Sequence, residues 1–462
     1  MNSMTKPNII FILIDDLGWR DLGCYGSKFY ETPNLDRLAE EGMRFTDAYA
    51  AAPVCSPTRA SILSGKYPAT LGLTNYIGGK EHPSFGKLID APYIDHLPMT
   101  ERSLAKTLNE AGYATWFVGK WHLGARPYYP MEHGFEVNIG GCSWGHPRQG
   151  YFSPYGIETL ENGPRGEYLT DRLTNEAIEL IKNKDERPFF LYLSHYAVHT
   201  PIQAKEDDLA RFKEKAVKMG LDKVDPLREG EHFPVEHKKG KRVTRRMTQS
   251  DPAYAAMIFN LDQNIGRLLE AIEDIDHTIV IFTSDNGGLS TAEGSPTCNS
   301  PLSEGKGWMY DGGVREPLII KWPGVIQSGS VCEVAVTSPD FYPTLLELAG
   351  LSLLPEQHYD GISIAPLLYG EESIDREAIY WHYPHYGNQG GTPGSAIRRG
   401  DHKLIEFFED GRLELYNLRE DISETKNLVT AEPQLAAEMH RMLVSWRNSI
   451  EALMPQPRKD QA

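Results

Sequence analysis

Four clusters of polar residues, each directly after a short apolar segment, carry side chains that could do chemistry. They are Asp15-Asp16, Gly119-Lys120-Trp121-His122, the pair His195 and His199, and Asp285-Asn286. Carboxylate and amide oxygens are hard ligands that suit Ca²⁺ or Mg²⁺, whereas zinc favours histidine or cysteine. Each acidic pair alone would also suit a solvated turn, and a lone histidine is more often a packing residue. Together with Lys306, the clusters predict a divalent-cation site flanked by cationic and proton-donating side chains.

Cys55 is a second candidate for chemistry. In Cys55-Ser56-Pro57-Thr58-Arg59 a proline follows two residues after the cysteine, which suits the first turn of a helix. Cys55 would then lie at a helix amino terminus, where the helix dipole and free N–H groups favour anions. Arg59, four residues later, would share its face of the helix. A small buried core cysteine is the alternative interpretation of the same pattern.

The segments that must position these residues follow the pattern of an α/β protein. Short β-rich runs at residues 8–14, 114–118, 188–193 and 278–283 alternate with amphipathic stretches at 32–41, 103–111, 168–183 and 254–274. This alternation predicts a mainly parallel sheet covered by helices on both faces. Because ligands in such folds bind beyond the carboxyl ends of the strands, we expect the four clusters to converge on one crevice.

Composition limits the classes of partner. The chain has 462 residues, with 47 Lys+Arg against 64 Asp+Glu and a net charge of −17, which opposes binding to nucleic acid or to an anionic membrane. Five cysteines are too few and odd in number for a disulfide framework. Residues 1–7 lack the apolar stretch of a secretory signal. The chain as written is therefore expected to be cytoplasmic, or periplasmic or secreted if a signal was removed.

The chain divides into two predicted units, a catalytic domain at residues 1–370 and a C-terminal subdomain at 371–462. Hairpin-like segments at 396–408 and 412–418 and a helix at 432–453 predict a small antiparallel sheet with one helix in the second unit. Residues 204–250 are highly charged with little periodicity and include the basic run 237–246. That run could touch a polyanionic substrate, but a solvated surface insertion is the favoured interpretation because no aromatic residues are interleaved.

Six ordered motifs resemble those of the type I sulfatase family. They occupy residues 8–16, 53–59, 112–122, 195–201, 284–287 and 305–307, and the stretch 53–59, Pro-Val-Cys-Ser-Pro-Thr-Arg, is similar to the family signature. Two residues depart from the usual pattern: Thr58 stands where serine is commoner, and Ser64 where threonine or alanine is usual. The resemblance spans residues 7–428.

The resemblance implies an alkaline phosphatase-like α/β/α sandwich with a smaller C-terminal antiparallel-sheet subdomain. It also implies that Cys55 is oxidised to formylglycine by a formylglycine-generating or anaerobic sulfatase-maturing enzyme. Its remaining implications are that Asp15, Asp16, Asp285 and Asn286 bind Ca²⁺ or Mg²⁺ with residue 55, that Arg59 and Lys120 hold the aldehyde hydrate and the sulfate, and that His122, His199 and Lys306 serve proton transfer and sulfate binding. One hydroxyl of the hydrate would attack sulfur and the other would allow release of sulfate.

The substrate implied by the resemblance is a sulfated carbohydrate, cleaved by an exo-acting sulfuric ester hydrolase. Sulfated galactose or a sulfated N-acetylhexosamine is the specific expectation. Two aromatic, histidine-rich loops supply candidate sugar contacts, namely His146, Arg148, His382 and His385, although ordinary loop packing would explain them as well. The alternatives are a phosphomonoesterase or phosphonate hydrolase on the same scaffold, and a catalytically inactive protein that binds sulfated glycans.

Overall fold

The computed structural model describes residues 6–458. Residues 1–5, on which the expectation about a secretory signal largely depends, lie outside it. The α-helices are α1 Pro33–Glu41, α2 Cys55–Ser64, α3 Pro68–Leu71, α4 Leu104–Glu110, α5 Leu169–Lys182, α6 Glu206–Lys218, α7 Pro252–Glu270, α8 Asp311–Val314, α9 Phe341–Leu348, α10 Ala365–Leu368 and α11 Pro433–Ser449.

The strands form one large sheet, one four-stranded sheet and two small two-stranded pairs. They are β1 Asn8–Ile14, β2 Met43–Tyr49, β3 Leu88–Ile89, β4 Ala114–Gly119, β5 Val137–Ile139, β6 Phe189–Ser194, β7 Leu227–His232, β8 Arg242–Arg246, β9 Thr278–Ser284, β10 Arg315–Lys321, β11 Ser330–Cys332, β12 Val336–Thr337, β13 Ile379–Tyr383, β14 Gly394–Arg399, β15 His402–Phe407, β16 Leu413–Asn417 and β17 Gln456–Pro457.

The central sheet has the order β11-β2-β10-β9-β1-β6-β4-β5, with β12 also paired to β2. Strands β9, β1, β6, β4 and β5 are parallel, whereas β10 runs antiparallel to both of its neighbours. Every residue of β1 is buried, which explains the unbroken apolar run that follows Asn8: both faces of the sheet are covered. Parallel pairing brings the carboxyl ends of β1, β4, β6 and β9 to one edge, as predicted.

Helices cover the sheet in two groups. Helices α1, α5 and α6 all contact α7, while α2 contacts α4 and α9. Helix α7 begins two residues before its predicted start because the side chain of Asp251 accepts hydrogen bonds from the N–H groups of Ala253 and Tyr254, and Pro252 fills the first position. The predicted α/β fold with a small C-terminal antiparallel sheet is confirmed. Across the described part of the chain, no helix is both long and apolar enough to cross a membrane.

The charged segment at residues 204–250 is more regular than its composition indicates. It contains helix α6 and the β7–β8 hairpin. Helix α6 buries Phe212, whose ring meets that of Phe259 on α7 edge to face, with the centroids 5.8 Å apart. A single buried apolar stripe on a mostly charged helix is hard to recognise from sequence, which is why the segment showed little periodicity; its description as a solvated surface insertion remains a prediction.

The C-terminal sheet has the order β13-β14-β15-β16, with all pairs antiparallel. The segment predicted as one strand-like run at 396–408 is two strands, because Gly400 adopts a left-handed φ of 56° and reverses the chain. Helix α11 packs Met439 and Leu443 against one face of this sheet. The other face, through Trp381, contacts residues of the first unit such as Tyr49. The boundary at residue 370 remains a prediction.

Candidate active site

The four polar clusters meet where the strands end. The backbone N–H of Asp15 donates to Ala197 after β6, that of Lys120 donates to Ser194, and that of Asp285 donates to Ile14. These bonds lock the loops after β1, β4, β6 and β9 together. A cavity of about 580 Å³ opens above this edge, and Cys55, His122, His199 and Lys306 line it. The predicted crevice is therefore present.

Cys55 is the first residue of α2, a helix whose ten residues are all buried. Its Sγ lies 3.4 Å from His122 Nδ1. The Thr58 hydroxyl accepts from the N–H of Ala52 and donates to the carbonyl of Ala52, both at 3.2 Å, which closes the loop before the helix. Threonine thus supplies the hydroxyl that serine would have supplied. Burial raises the pKa of the Cys55 thiol, so the unmodified side chain is a weak nucleophile near neutral pH.

Arg59, on the same helix, contacts three of the four clusters, since its Nη2 also lies 3.8 Å from Asp15 Oδ1. Its Nε donates to Asp285 Oδ2 at 2.8 Å, and its Nη1 donates to the Lys120 carbonyl at 2.9 Å and to Ser194 Oγ at 2.6 Å. The side chain is only 1% exposed. Nε and Nη1 are hydrogen-bonded to the framework, whereas Nη2, 2.7 Å from Asp285 Oδ2, has no aligned hydrogen bond among the described residues. Arg59 therefore contributes fixed positive charge and orientation to the floor of the cavity.

Each aspartate after β1 has its own lysine. Lys120 Nζ donates to Asp15 Oδ2 at 2.7 Å, and Lys306 Nζ contacts both oxygens of Asp16, at 2.7 and 2.8 Å. Burial raises the pKa of Asp15 well above its usual range, more than the attraction of Lys120 lowers it. Burial also acts on Asp16, but Lys306 and His199 outweigh it, so the pKa of Asp16 falls below its usual range. Asp16 is therefore firmly ionised.

His122 and His199, two of the histidines that line the cavity, are neutral and have opposite tautomers. His122 Nε2 lies 2.9 Å from the carbonyl oxygen of Ile77, so it carries the proton and leaves Nδ1 as an acceptor facing Cys55. His199 Nδ1 donates to the carbonyl of Thr200, which leaves Nε2 to accept from Lys306 Nζ at 3.0 Å. Burial lowers the pKa of His122, and burial together with Lys306 lowers that of His199. His122 Nδ1 is thus an acceptor that faces residue 55, and His199 Nε2 is an acceptor bonded to the ammonium group of Lys306.

The oxygen ligands fit a hard divalent cation. Among the described residues, Asp15 Oδ1 and Asn286 Oδ1 are buried oxygens without a hydrogen-bond donor. Ligand atoms of Asp15, Asp285 and Cys55 lie within 4.8 Å of one another. Buried oxygens without donors are costly unless something positive meets them. Their chemistry suits Ca²⁺ or Mg²⁺ rather than zinc.

The four predicted sugar contacts separate into two pairs. His146 and Arg148 line the cavity, and the His146 ring lies parallel to that of His199 with centroids 6.0 Å apart. His382 and His385 are buried elsewhere and are not among the described residues that line it. His382 bonds to Ser395 Oγ and to the carbonyl of Leu453, at 2.7 and 2.9 Å, and His385 Nε2 lies 2.8 Å from Thr74 Oγ1. The second pair is engaged in packing: His382, on β13, and His385, two residues after β13 ends, are both buried.

Sequence patterns missed another group of residues that line the cavity, namely Tyr76, Glu81, His82, Glu293, Asn388 and Gln389. They lie in loops or, for Glu81, in a single 3-10 turn at Gly79–Glu81, and no periodicity marks them. Asn388 and Gln389 stand between Gly387 and the pair Gly390-Gly391, and this glycine-rich setting was the available signal for a close approach of backbone.

The sequence matches two profiles of known protein families. The Sulfatase family profile matches residues 7–351, and the profile described as N-sulphoglucosamine sulphohydrolase, C-terminal, matches residues 304–449. A protein named sulfatase from Formosa agariphila is 36% identical over 96% of this chain and 88% of its own length. The human N-acetylgalactosamine-6-sulfatase is 32% identical over 81% of this chain and 68% of its own length.

A solved structure gives the same assignment. The crystal structure of Ps i-CgsB in complex with k-i-k-neocarrahexaose superposes with a TM-score of 0.76 and 30% identity, over 96% of this chain and 92% of the other. The chain belongs to the sulfatase family, and the alkaline phosphatase-like fold implied by the sequence motifs is confirmed. Within that family it is a sulfuric ester hydrolase.

Proposed function

We propose that this enzyme removes sulfate from a sugar at the end of a sulfated carbohydrate, using formylglycine at position 55 and a divalent cation. The observation that carries the proposal is the arrangement at the cavity floor, where Cys55 lies among oxygen ligands, Arg59 and two buried lysines. The names of the relatives support a carbohydrate substrate: one is an N-acetylgalactosamine-6-sulfatase, and another was solved with k-i-k-neocarrahexaose.

The cation would be held by Asp15, Asp16, Asp285, Asn286 and the modified residue 55. When bound, it would supply positive charge that offsets the charge developing on sulfate oxygens. We favour Ca²⁺, with Mg²⁺ as the alternative, because the ligands are several carboxylate and amide oxygens from separate loops. The formylglycine hydrate would supply two hydroxyls, one to form the bond to sulfur and one to allow sulfate to leave. Arg59 and Lys120, fixed by their buried partners, would orient both groups.

The tautomers of His122 and His199 support separate roles for these two residues in proton transfer. His199 Nε2 and Lys306 Nζ lie 3.0 Å apart on the cavity wall, where they would deliver a proton to the sugar oxygen that leaves. His122 presents an unprotonated Nδ1 to residue 55, where it would accept the proton whose loss releases sulfate. Each positioned donor of this kind contributes on the order of 3 kcal/mol to lowering a barrier in a water-poor site.

The cavity sets the scale of the substrate. A volume of about 580 Å³ falls within the usual range for small-ligand sites and accommodates a sugar ring with its sulfate. His146 and Arg148 at the mouth would contact the sugar or the residue beyond it. Sulfated galactose and sulfated N-acetylhexosamine are the substrates we expect, cleaved from the chain end because the cavity closes at the catalytic floor.

The decisive experiment combines mass and turnover. The protein is co-expressed with a formylglycine-generating or anaerobic sulfatase-maturing enzyme, the mass of the Cys55 peptide is measured, and sulfated sugars are compared with the corresponding phosphate monoesters. We expect a formylglycine mass and a strong preference for sulfate esters. Cys55→Ser should fold normally and lose turnover, because serine lacks the second hydroxyl, while Cys332→Ser on β11 serves as the matched control. Near-normal turnover by Cys55→Ser, or a preference for phosphate monoesters, would contradict the proposal.

A further inference from the structure

The wall of the cavity beside Lys306 is rich in hydrogen-bond acceptors. Resting on the proposed function, we propose that Glu293, Asn388 and Gln389 form an acceptor subsite for the free hydroxyl groups of the sulfated sugar ring. The same subsite disfavours a second sulfate on that ring. The enzyme's substrate class is therefore a sugar with one sulfate and free hydroxyls beside it.

Two buried amide oxygens on this wall have no donor. Gln389 is only 4% exposed and lines the cavity, yet its Oε1 has no hydrogen-bond partner within residues 6–458. Asn388 Oδ1 is likewise buried without a donor there, although its Nδ2 donates to Glu293 Oε1 at 3.2 Å. Unsatisfied buried acceptors at a cavity wall are costly until a donor arrives. Sugar hydroxyls are donors of the right kind.

The backbone that carries these amides is fixed before any ligand binds. The carbonyl of Gln389 accepts from Thr291 Oγ1 at 2.9 Å and from Trp308 Nε1 at 3.2 Å. A Cβ on Gly391 would lie 2.0 Å from the carbonyl oxygen of Gly307, so glycine is required for the loop to sit on the residue after Lys306. The acceptor wall is thereby placed directly beside a catalytic side chain, at little ordering cost on binding.

Glu293 adds a negative charge to the wall. It lines the same cavity as Lys306, and its Oε1 accepts from Lys238 Nζ at 3.3 Å. Burial acts to raise the pKa of Glu293, but Lys238 and Lys306 outweigh it and the pKa lies below its usual range. A carboxylate there accepts hydroxyl hydrogen bonds and repels a second sulfate. Lys238 belongs to the basic run at 237–246, so this lysine neutralises part of Glu293 rather than attracting a polyanion.

The first test uses a probe with ring hydroxyls and one without. Gln389→Leu keeps the size of the side chain and removes its acceptor. We expect kcat/KM for galactose 6-sulfate to fall about ten-fold, the effect of one lost hydrogen bond, while kcat/KM for 4-nitrophenyl sulfate changes less than about two-fold. Gln263→Leu, at an exposed position of α7, is the matched control and should leave both values unchanged.

The second test addresses charge. Glu293→Gln keeps the hydrogen-bonding capacity of the side chain and removes its repulsion of a second sulfate. The ratio of kcat/KM for galactose 6-sulfate to kcat/KM for galactose 4,6-disulfate should therefore fall about ten-fold. Glu231→Gln is the control, because it alters a carboxylate on β7 that is paired with Arg245 on β8. It should not change that preference.

The outcomes separate the two proposals. If the wild-type enzyme hydrolyses sulfate esters but Gln389→Leu lowers both probes equally, or lowers neither, the subsite is overturned while the proposed function stands. An unchanged preference in Glu293→Gln also overturns it. If wild-type enzyme carrying formylglycine hydrolyses no sulfate ester, the proposed function fails and the subsite fails with it.

Discussion

Two buried clusters with equal numbers of acidic and basic groups lie in different parts of the molecule, each with three carboxyl groups and three cationic side chains. The catalytic cluster is Asp15, Asp16, Asp285, Arg59, Lys120 and Lys306. The bridging cluster joins the first unit to the C-terminal sheet and consists of Asp47, Asp311, Glu424, Arg315, Arg398 and Lys403.

The bridging cluster is closed upon itself. Lys403 Nζ donates to Asp311 and to Glu424 at 2.7 and 3.0 Å, with all three side chains inaccessible to solvent. Arg398 contacts Asp47 at 2.7 Å. Among the described residues, no side-chain oxygen or nitrogen of this cluster is both buried and without a hydrogen bond. It has no capacity left for a ligand.

The catalytic cluster, by contrast, is incomplete and faces a cavity. Asp15 Oδ1, together with the neighbouring Asn286 Oδ1, has no donor in the described structure, and Lys306 is shared between Asp16 and His199. The same inventory of charges therefore serves two purposes. The bridging cluster, whose buried polar atoms all have hydrogen bonds, joins two parts of the fold. The catalytic cluster, some of whose buried polar atoms have none among residues 6–458, can bind a cation and an anion.

The largest expected effect breaks the bridging cluster. Lys403→Met leaves Asp311 and Glu424 buried without their shared cation, so the free energy of unfolding should fall by about 3–5 kcal/mol. Urea unfolding measures this loss. Lys218→Met removes a lysine from the exposed pair with Glu214 and should change stability by less than about 0.5 kcal/mol. Equal stability losses in the two variants would contradict the closed character of the bridging cluster.

A similar substitution in the catalytic cluster should damage turnover more than stability. Lys306→Met removes a donor from the cavity, and kcat for a sulfated sugar should fall about 10²–10³-fold. With Ca²⁺ present, the fall in unfolding free energy should be smaller than for Lys403→Met. Steady-state kinetics and urea unfolding on the same samples check both parts, and retention of full kcat would refute the role of Lys306.

Calcium distinguishes the two clusters directly. Ca²⁺ at about one hundred times its Kd should stabilise the wild-type protein by about 2.7 kcal/mol, because only the folded state assembles the oxygen ligands. The shift in Tm between Ca²⁺ and a chelator measures it. Asp15→Asn should reduce the shift, and Glu424→Gln should preserve it. A shift that Asp15→Asn leaves unchanged would place the calcium site elsewhere.

Over a single pH unit, the smallest effect is a pH dependence of the bridging cluster. Burial raises the pKa of Glu424 from 4.5 to about 7, more than Lys403 lowers it, and the Asp311 carboxylate adds to the rise. Between these values the native state keeps a proton that the unfolded chain has lost, so the free energy of unfolding falls as pH rises. The slope reaches about 1.4 kcal/mol per pH unit at most. Urea unfolding from pH 5 to 7 should show that the free energy of unfolding depends less on pH in Glu424→Gln than in the wild-type protein. The same pH dependence in both proteins would contradict this prediction.

The strands and the residues at their ends were predictable from sequence because both depend on local patterns. An unbroken apolar run such as Ile9–Ile14 indicates a strand buried on both faces, and its end marks where Asp15 and Asp16 must lie. Cys55 at the start of α2 followed in the same way from Pro57. For these residues, chain order and parallel pairing were sufficient to predict convergence.

The sequence by itself thus determined the fold class, the strand-end clusters and the place of Cys55 at a helix start. Only the tertiary structure decided which loops reach the cavity. His382 and His385 resemble sugar contacts in sequence but are turned into the protein, whereas Glu293 and Gln389, without any motif, are brought beside Lys306. The physical reason is that a loop residue's exposure depends on contacts with segments distant in sequence, which local periodicity does not encode.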